Sequence, residues 1–348
     1  MRVNNNYIEE VFEEVQFKGD INDFFNDFSP NGKYKFLFEG FVYRGERSDQ
    51  FKLLLPSSLR RNNSEKLANF SGNYESGVYS IMNIQTYEYD ALLKFYELGN
   101  KKGIPLPVSN ILSELNYFGL PFSRAEYIIG DKWLPEDLFE ISALAQHYGV
   151  PTRLIDWSHS FYTAIYFAVS GYLKARDFSI ENIVIYALNV KEVRWAIHNF
   201  DMMANGQKTD KFPLRFITPQ NYLNENATRQ TGLLTTWVED SKKSSYSRGS
   251  KEAVLYFSEC YDLESYSFEK MLLHHLQDKK ITALRGSGTE DPLLLFKFKI
   301  PSTIILSLYD YLIKMGYGAD NLFDGYEGII QRLQDDTNYA IYKKFNSV

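Results

Sequence analysis

Residues 135–173, PEDLFEISALAQHYGVPTRLIDWSHSFYTAIYFAVSGYL, restrict the fold more than any other part of this chain. Pro135 suits the first turn of a helix, and Glu136 and Asp137 suit the positive end of its dipole. Leu138, Ile141, Ala145 and Tyr148 share one helical face. Gly149 can take the left-handed cap, and Pro151 forbids continuation and pushes Val150 toward extended backbone. TRLIDW then reads as a short strand, and SFYTAIYFAVSGYL, apolar nearly all round, as a buried helix. His147 and Tyr148 end one element, and Thr152 to Trp157 form the next. Arg153 and Asp156 stand three apart in the strand, so regular backbone sends them to opposite sides, one buried or paired and the other facing a cleft.

The remaining elements alternate without a repeat or a long linker. NNNYIEEVFEEV and DINDFFNDF read as short amphipathic helices, so residues 1–34 are predicted as a helical lead-in. KYKFLFEGFVYRGERS reads as one or two strands turning at Gly40. YEYDALLKFYELGNKKG, KEVRWAIHNF and STIILSLYDYLIKMG read as helices, the last with Ser302 as its cap and Gly316 at its end. NIVIYALNV, LRFITP, GLLTTW and PLLLFKFKIP read as strands. EDSKKSSYSRGSKE is polar and Ser/Lys-rich, which predicts an exposed loop over residues 239–252. One α+β domain over residues 35–340, a mixed sheet with flanking helices, accounts for this pattern.

Composition narrows the function. At 44% hydrophobic, 348 residues can bury a sizeable core. The net charge of −6 gives no general basic surface for nucleic acid, though it leaves room for a local basic groove. Cys260 is the single cysteine, so no internal disulfide forms. No apolar run approaches the roughly 20 residues that span a bilayer, and the polar start has no signal-peptide core. The expectation is a cytoplasmic protein without a membrane segment. No HExxH or CxxC is present, so no metal site is expected. Phosphate-loop, GxGxxG and GxSxG signatures are also absent.

Two constellations carry chemistry. In FVYRG, Arg44 within an apolar strand needs a partner for its guanidinium. Either it pairs with a carboxylate such as Asp156, or it grips an anion bidentately from the strand end. Gly45 would let backbone or ligand come close. The second constellation is the 144–169 stretch, which reads either as a polar staple between two helices or as a cleft wall.

These residues together resemble the FRG domain family, named for a Phe-Arg-Gly motif. VYRGERSDQFKLLLPSSLRR is similar to its opening block, with Tyr43 in place of Phe. LAQHYGVPTRLIDWSHSFYTAIYFA is similar to its central block. NATRQTGLLTTW looks like its Gln-rich strand, with Gln230 and Gly232 retained and Thr231 departing, and the C-terminal segment carries Asp324 where Pro is usual. The block order resembles, more distantly, ADP-ribosyltransferases. That resemblance implies an ADP-ribosyltransferase-like fold with NAD as substrate. It implies Arg44 and Gly45 at the pyrophosphate, Thr152 or Ser158 at the nicotinamide ribose, Tyr148 or Trp157 stacked on nicotinamide, and Arg153 in the binding wall. His147, Asp156 and Gln230 are the catalytic candidates. A late-strand Glu is usual in such enzymes, and Gln230 stands in its place, which leaves Asp156 or Glu46 to supply the charge. The implied activity is ADP-ribose transfer to a macromolecular acceptor, protein or nucleic acid, or NAD hydrolysis. The implied setting is a bacterial toxin or antiphage effector with a cognate neutralising partner. The alternative is a non-catalytic binding module for protein or nucleic acid, in which Arg44 and Arg153 hold the core or a partner's phosphate. Convergence of Arg44, His147 and Gln230 on one pocket favours the enzyme, and dispersal or full pairing favours the module.

Overall fold

The apolar run Asn182–Asn189 becomes the middle of the main sheet. The computed structural model describes residues 12–72, 79–118, 132–203, 212–218, 232–240, 261–278 and 293–345. Its strands are β1 (Phe12–Gln16), β2 (Phe41–Glu46), β3 (Lys132–Trp133), β4 (Ile155–Ser158), β5 (Asn182–Asn189), β6 (Leu214–Ile217), β7 (Gly232–Trp237), β8 (Glu239–Asp240) and β9 (Leu295–Pro301). Seven of them form one sheet in the order β1-β9-β5-β2-β4-β7-β6, and β3 pairs with β8 apart from it. β1 runs parallel to β9, while the other neighbours are antiparallel. β5 is buried from Asn182 to Leu188 because helices cover both faces of the sheet there.

The helices are α1 (Ile21–Asp27), α2 (Arg61–Ser71), α3 (Ile81–Lys101), α4 (Asn110–Phe118), α5 (Phe139–His147), α6 (Phe161–Ala175), α7 (Val190–Met203), α8 (Phe268–Asp278), α9 (Ile305–Lys314), α10 (Ala319–Leu322) and α11 (Gly325–Phe345). The architecture is therefore α+β, a seven-stranded mixed sheet with flanking helices. Among the described residues, no helix is long and apolar enough to cross a membrane.

Strand alternation sorts the core into two layers. On one face, Tyr43, Ile183, Ile185 and Phe298 pack with Phe161, Ile165 and Val169 of α6 and with Phe24 and Phe28 around α1. On the other, Val42, Trp157, Tyr186 and Leu188 pack with Phe268 of α8 and Trp237. Burying a large apolar side chain of this kind contributes about 1.5–3 kcal/mol. α6 is apolar all round because α11 closes its far side. Tyr166 and Ser170 of α6 donate to Asp335 of α11 at 2.6 and 2.8 Å, so their hydroxyls are not buried unpaired.

Gly45 decides how closely α6 lies on β2. A Cβ there would meet Ala164 O at 1.9 Å and Ala168 N at 2.9 Å. The expected close approach is that of backbone. Gly149 caps α5 at φ +86°, with its N–H donating to Gln146 O and the Val150 N–H to Ala145 O.

Several local expectations change. FEEV, expected in a helix, lies in strand β1, because its extended backbone pairs with β9 from Phe12 opposite Leu295 to Gln16 opposite Lys299. Tertiary pairing overrides local propensity at such an edge. The strand expected from Thr152 begins only at Ile155. Ser302 opens a short 3₁₀ turn ahead of α9 instead of capping it. Glu239 and Asp240 form β8, and the remainder of the expected 239–252 loop lies outside the described residues.

Candidate functional site at the β2–β4 seam

β2 and β4 meet at a single register pair, Tyr43 opposite Ser158. Beyond it the strands diverge, although β2 stays paired with β5 through to Glu46 opposite Val184, and β4 with β7 through to Ile155 opposite Thr235. The sheet therefore opens where Arg44, Glu46 and Asp156 stand. Backbone groups freed by such an opening need other partners. Arg44 supplies one, its Nη1 donating to Asp156 O at 3.1 Å across the seam.

Arg44 sits between two carboxylates. Its Nε donates to Glu46 Oε1 at 2.9 Å, and its Nη1 lies 3.5 Å from Asp156 Oδ2. Burial works against its charge, but Glu46 and Asp156 together outweigh burial and raise its pKa. Nη2 donates to no described group, and the side chain as a whole is 21% exposed. Glu46 is buried, and Arg60 Nη2 reaches the same Oε1 at 2.6 Å. Burial favours the neutral acid, yet Arg44 and Arg60 outweigh it and hold the Glu46 carboxyl below its usual range.

The network continues into the second constellation. Gln146 Nε2 donates to Asp156 Oδ1 at 2.6 Å, and Thr152 Oγ1 donates to Gln146 Oε1. Thr152 Oγ1 also accepts from the Leu154 N–H at 3.1 Å. The Thr152 N–H donates to Ser57 Oγ, and the Thr152 carbonyl accepts from the Ser58 N–H, both at 2.9 Å. Asp156 remains 61% exposed at its side chain. The seam thus holds one buried carboxylate between two guanidiniums and one accessible carboxylate held from its far side by an amide.

The other expected site residues are placed differently. Arg153 is buried. Its Nε donates to Glu88 Oε2 on α3 at 2.8 Å, and its Nη2 lies 2.6 Å from the same oxygen. Trp133 Nε1 also donates to that oxygen, at 2.6 Å. Arg153 therefore ties α3 to the β4 approach and is not part of a binding wall. Trp157 is only 2% exposed, packs on Phe268, and donates to Thr235 Oγ1 at 2.8 Å. It belongs to the core, because alternation in β4 turns its ring toward α8, so it is not placed to stack on a ligand. Ser158 is buried with its Oγ accepting from the Ser160 N–H at 3.0 Å. His147, the last residue of α5, and Tyr148, its C-cap, are exposed, ring against ring at 5.0 Å, and make no hydrogen bond with Arg44 or Asp156. Gln230 lies outside the described residues, two positions before Gly232 of β7.

Sequence reasoning named Arg44, Asp156 and Thr152 and missed the two residues that link them to their surroundings. Gln146 precedes His147 in the last turn of α5, and no periodicity distinguishes which of the two turns toward β4. Arg60 comes from SLRR, sixteen positions after Arg44, and only the return of the 47–56 segment brings it to Glu46.

No curated protein and no solved structure matches the chain, so the likeness to ADP-ribosyltransferases rests on the motifs alone. Residues 123–177, the segment that includes α5, β4 and α6 and carries Gln146, Thr152 and Asp156, match the family model of the FRG domain.

Proposed function

We propose that this FRG-domain chain binds NAD at the β2–β4 seam and cleaves its bond to nicotinamide, passing ADP-ribose to an acceptor or to water. The observation that carries this reading is Arg44 at the opening, partly exposed and with no described partner on its Nη2, beside the accessible carboxylate of Asp156. A guanidinium held from behind by Glu46 presents a preorganised donor edge to a pyrophosphate. Asp156 would steady the positive charge that grows on the ribose C1′ as the C1′–N bond breaks and nicotinamide leaves with the bonding pair. Water or an acceptor nucleophile then bonds to C1′ and loses its proton. Gln146 positions Asp156. His147, exposed and apart from this network, has no part in this version of the reading.

A second reading keeps the chain as a non-catalytic binding module. It is favoured by the neutralisation of Arg44 by two carboxylates, which lowers its pull on an anion. Its action as a toxin or antiphage effector, with a neutralising partner, rests on the resemblance and is tested by expression in cells. The deciding experiment incubates pure protein with NAD, with and without lysate, and follows nicotinamide release and labelled ADP-ribose. Turnover abolished by Asp156→Asn supports the enzyme. No turnover and no saturable NAD binding leaves the module.

A further inference from the structure

A second opening lies at the carboxyl end of β2, where Glu46 separates it from the seam. It is a cleft of about 930 Å³ between the 47–56 segment, the start of α2 and the exposed side of α6. That volume falls among pockets that take small organic ligands, about 300–1,000 Å³. Arg47, Lys52, Arg60 and Arg61 all line it. Arg60 is committed to Glu46 and to Leu55 O. Among the described residues, no carboxylate lies within salt-bridge distance of Arg47, Lys52 or Arg61. In a chain of net charge −6, Arg47, Lys52, Arg60 and Arg61 on one concavity outnumber its lining carboxylates, Glu46, which Arg44 and Arg60 share, and Glu264, which lies 3.9 Å from Lys270, and so mark a place for an anion.

The wall is built in advance. Lys297 Nζ donates to Lys52 O at 3.1 Å, and the Leu54 N–H donates to both oxygens of the buried Glu269 at 2.9 and 3.0 Å. The Asp49 N–H donates to Asn182 O at 3.0 Å, and Asn182 Nδ2 returns to Asp49 Oδ2 at 2.9 Å. The segment that presents Arg47 and Lys52 is thus tied to β5, β9 and α8, and little ordering remains to oppose binding. Aromatic surface is present as well. The Arg47 and Arg60 guanidiniums lie 5.4 and 5.7 Å from the Phe51 ring, and Phe167 of α6 lines the cleft with part of its ring in solvent. A cationic concavity with an aromatic rim fits a phosphate joined to a flat base. It is too large for inorganic phosphate alone, and the overall negative charge disfavours a long polyanion.

We infer that this cleft binds a phosphate-bearing nucleotide unit, with Arg47, Lys52 and Arg61 at the phosphate and Phe167 at the base. The site is separate from Arg44 and does not rest on the NAD reading. The unit comes either as a free nucleoside monophosphate or as the 5′-phosphorylated end of a single strand.

Calorimetric titration of the full chain tests this with AMP, adenosine, inorganic phosphate and a 5′-phosphorylated trinucleotide. AMP is expected to bind saturably, with adenosine and inorganic phosphate each weaker by roughly tenfold or more. Arg47→Gln with Arg61→Gln, both on the surface, is expected to weaken AMP by at least about tenfold at an unchanged melting temperature. Arg44→Lys is expected to leave AMP binding intact. A trinucleotide that binds more tightly than AMP identifies the strand end, and equal affinity identifies the free nucleotide; both support the site. Absence of AMP binding, or AMP affinity untouched by the double substitution, overturns it. Equal loss in Arg44→Lys also overturns it, by making the cleft and the seam one site. AMP binding without NAD turnover leaves this inference standing while the NAD reading falls, and NAD turnover without AMP binding does the reverse.

Discussion

Arg44 Nε and Arg60 Nη2 donate to the same oxygen, Oε1 of Glu46, at 2.9 and 2.6 Å. One buried carboxylate thereby holds together a strand and the approach to a helix sixteen residues later, and it stands between the two openings described above. Removing it leaves two guanidiniums facing each other without their shared counter-charge. Glu46→Gln is expected to cost roughly 3 kcal/mol, the lower end for breaking a buried pair, because both arginines keep some solvent. Urea unfolding measures it, and a cost near zero would show that the arginines rearrange freely.

The same carboxylate sets a pH dependence. Its folded pKa lies below the ordinary 4.5, so between the two values the unfolded chain takes the proton first. Its contribution is fully present above about pH 4.5 and is lost as pH falls through the folded value. Stability measured from pH 6 down to pH 3 should fall less steeply in Glu46→Gln than in the wild type.

Asp90 on α3 has the opposite sign. Burial pushes its carboxyl up to about 6 from 3.8, against the pull of Lys94. Between these values the folded chain holds the proton more tightly, so stability is lost as pH rises toward 6. Asp90→Asn should melt higher than the wild type at pH 8, and the two should converge near pH 4. A constant difference at both pH values would assign the effect to packing instead.

Gly45→Ala places a methyl group 1.9 Å from a helix carbonyl. Neither α6 nor β2 can withdraw without opening the core between them. The expected cost is at the upper end of overpacking penalties, about 3 kcal/mol or more. The readout is soluble yield together with chemical denaturation, and a wild-type midpoint would mean that α6 does not lie as described.

Gln146 and His147 separate the network from its surroundings. Gln146→Ala is expected to release Asp156 Oδ1 and lower ligand affinity or turnover at the seam, with a modest drop of about 1 kcal/mol in stability. His147→Gln is expected to keep both its melting temperature and its activity, since its ring is exposed against Tyr148. A loss of activity in His147→Gln alone would bring the histidine back into the site.

Arg44→Lys keeps the charge and loses the planar fork. A lysine can satisfy Glu46 or a ligand, but not Glu46, the Asp156 carbonyl and a ligand together. The protein should remain folded with NAD affinity reduced by at least about tenfold. Unchanged NAD affinity in the folded variant would remove Arg44 from the site.

Local chemistry determined much of this protein. Gly149 and Pro151 end α5 and start the next element, while Pro135 opens a 3₁₀ turn over Glu136–Leu138 that leads into α5, because ring closure and a left-handed φ act within a few residues. The apolar runs of β5 and α6 read as buried elements, because nothing else offsets so much apolar surface in water. Arg153 is buried and Asp156 exposed, as expected, but Arg153 precedes β4, so its burial comes from Glu88 on α3 and not from strand alternation. Tertiary structure alone decided the partners. Glu88 lies sixty-five positions from Arg153, and nothing local says which carboxylate a buried guanidinium will find. β1 is a strand only because β9 offers it an edge, and Trp157 is core only because α8 covers that face of β4. The seam itself arises from two strands that share one register pair before diverging, and pairing between residues more than a hundred positions apart leaves no periodic trace in either segment.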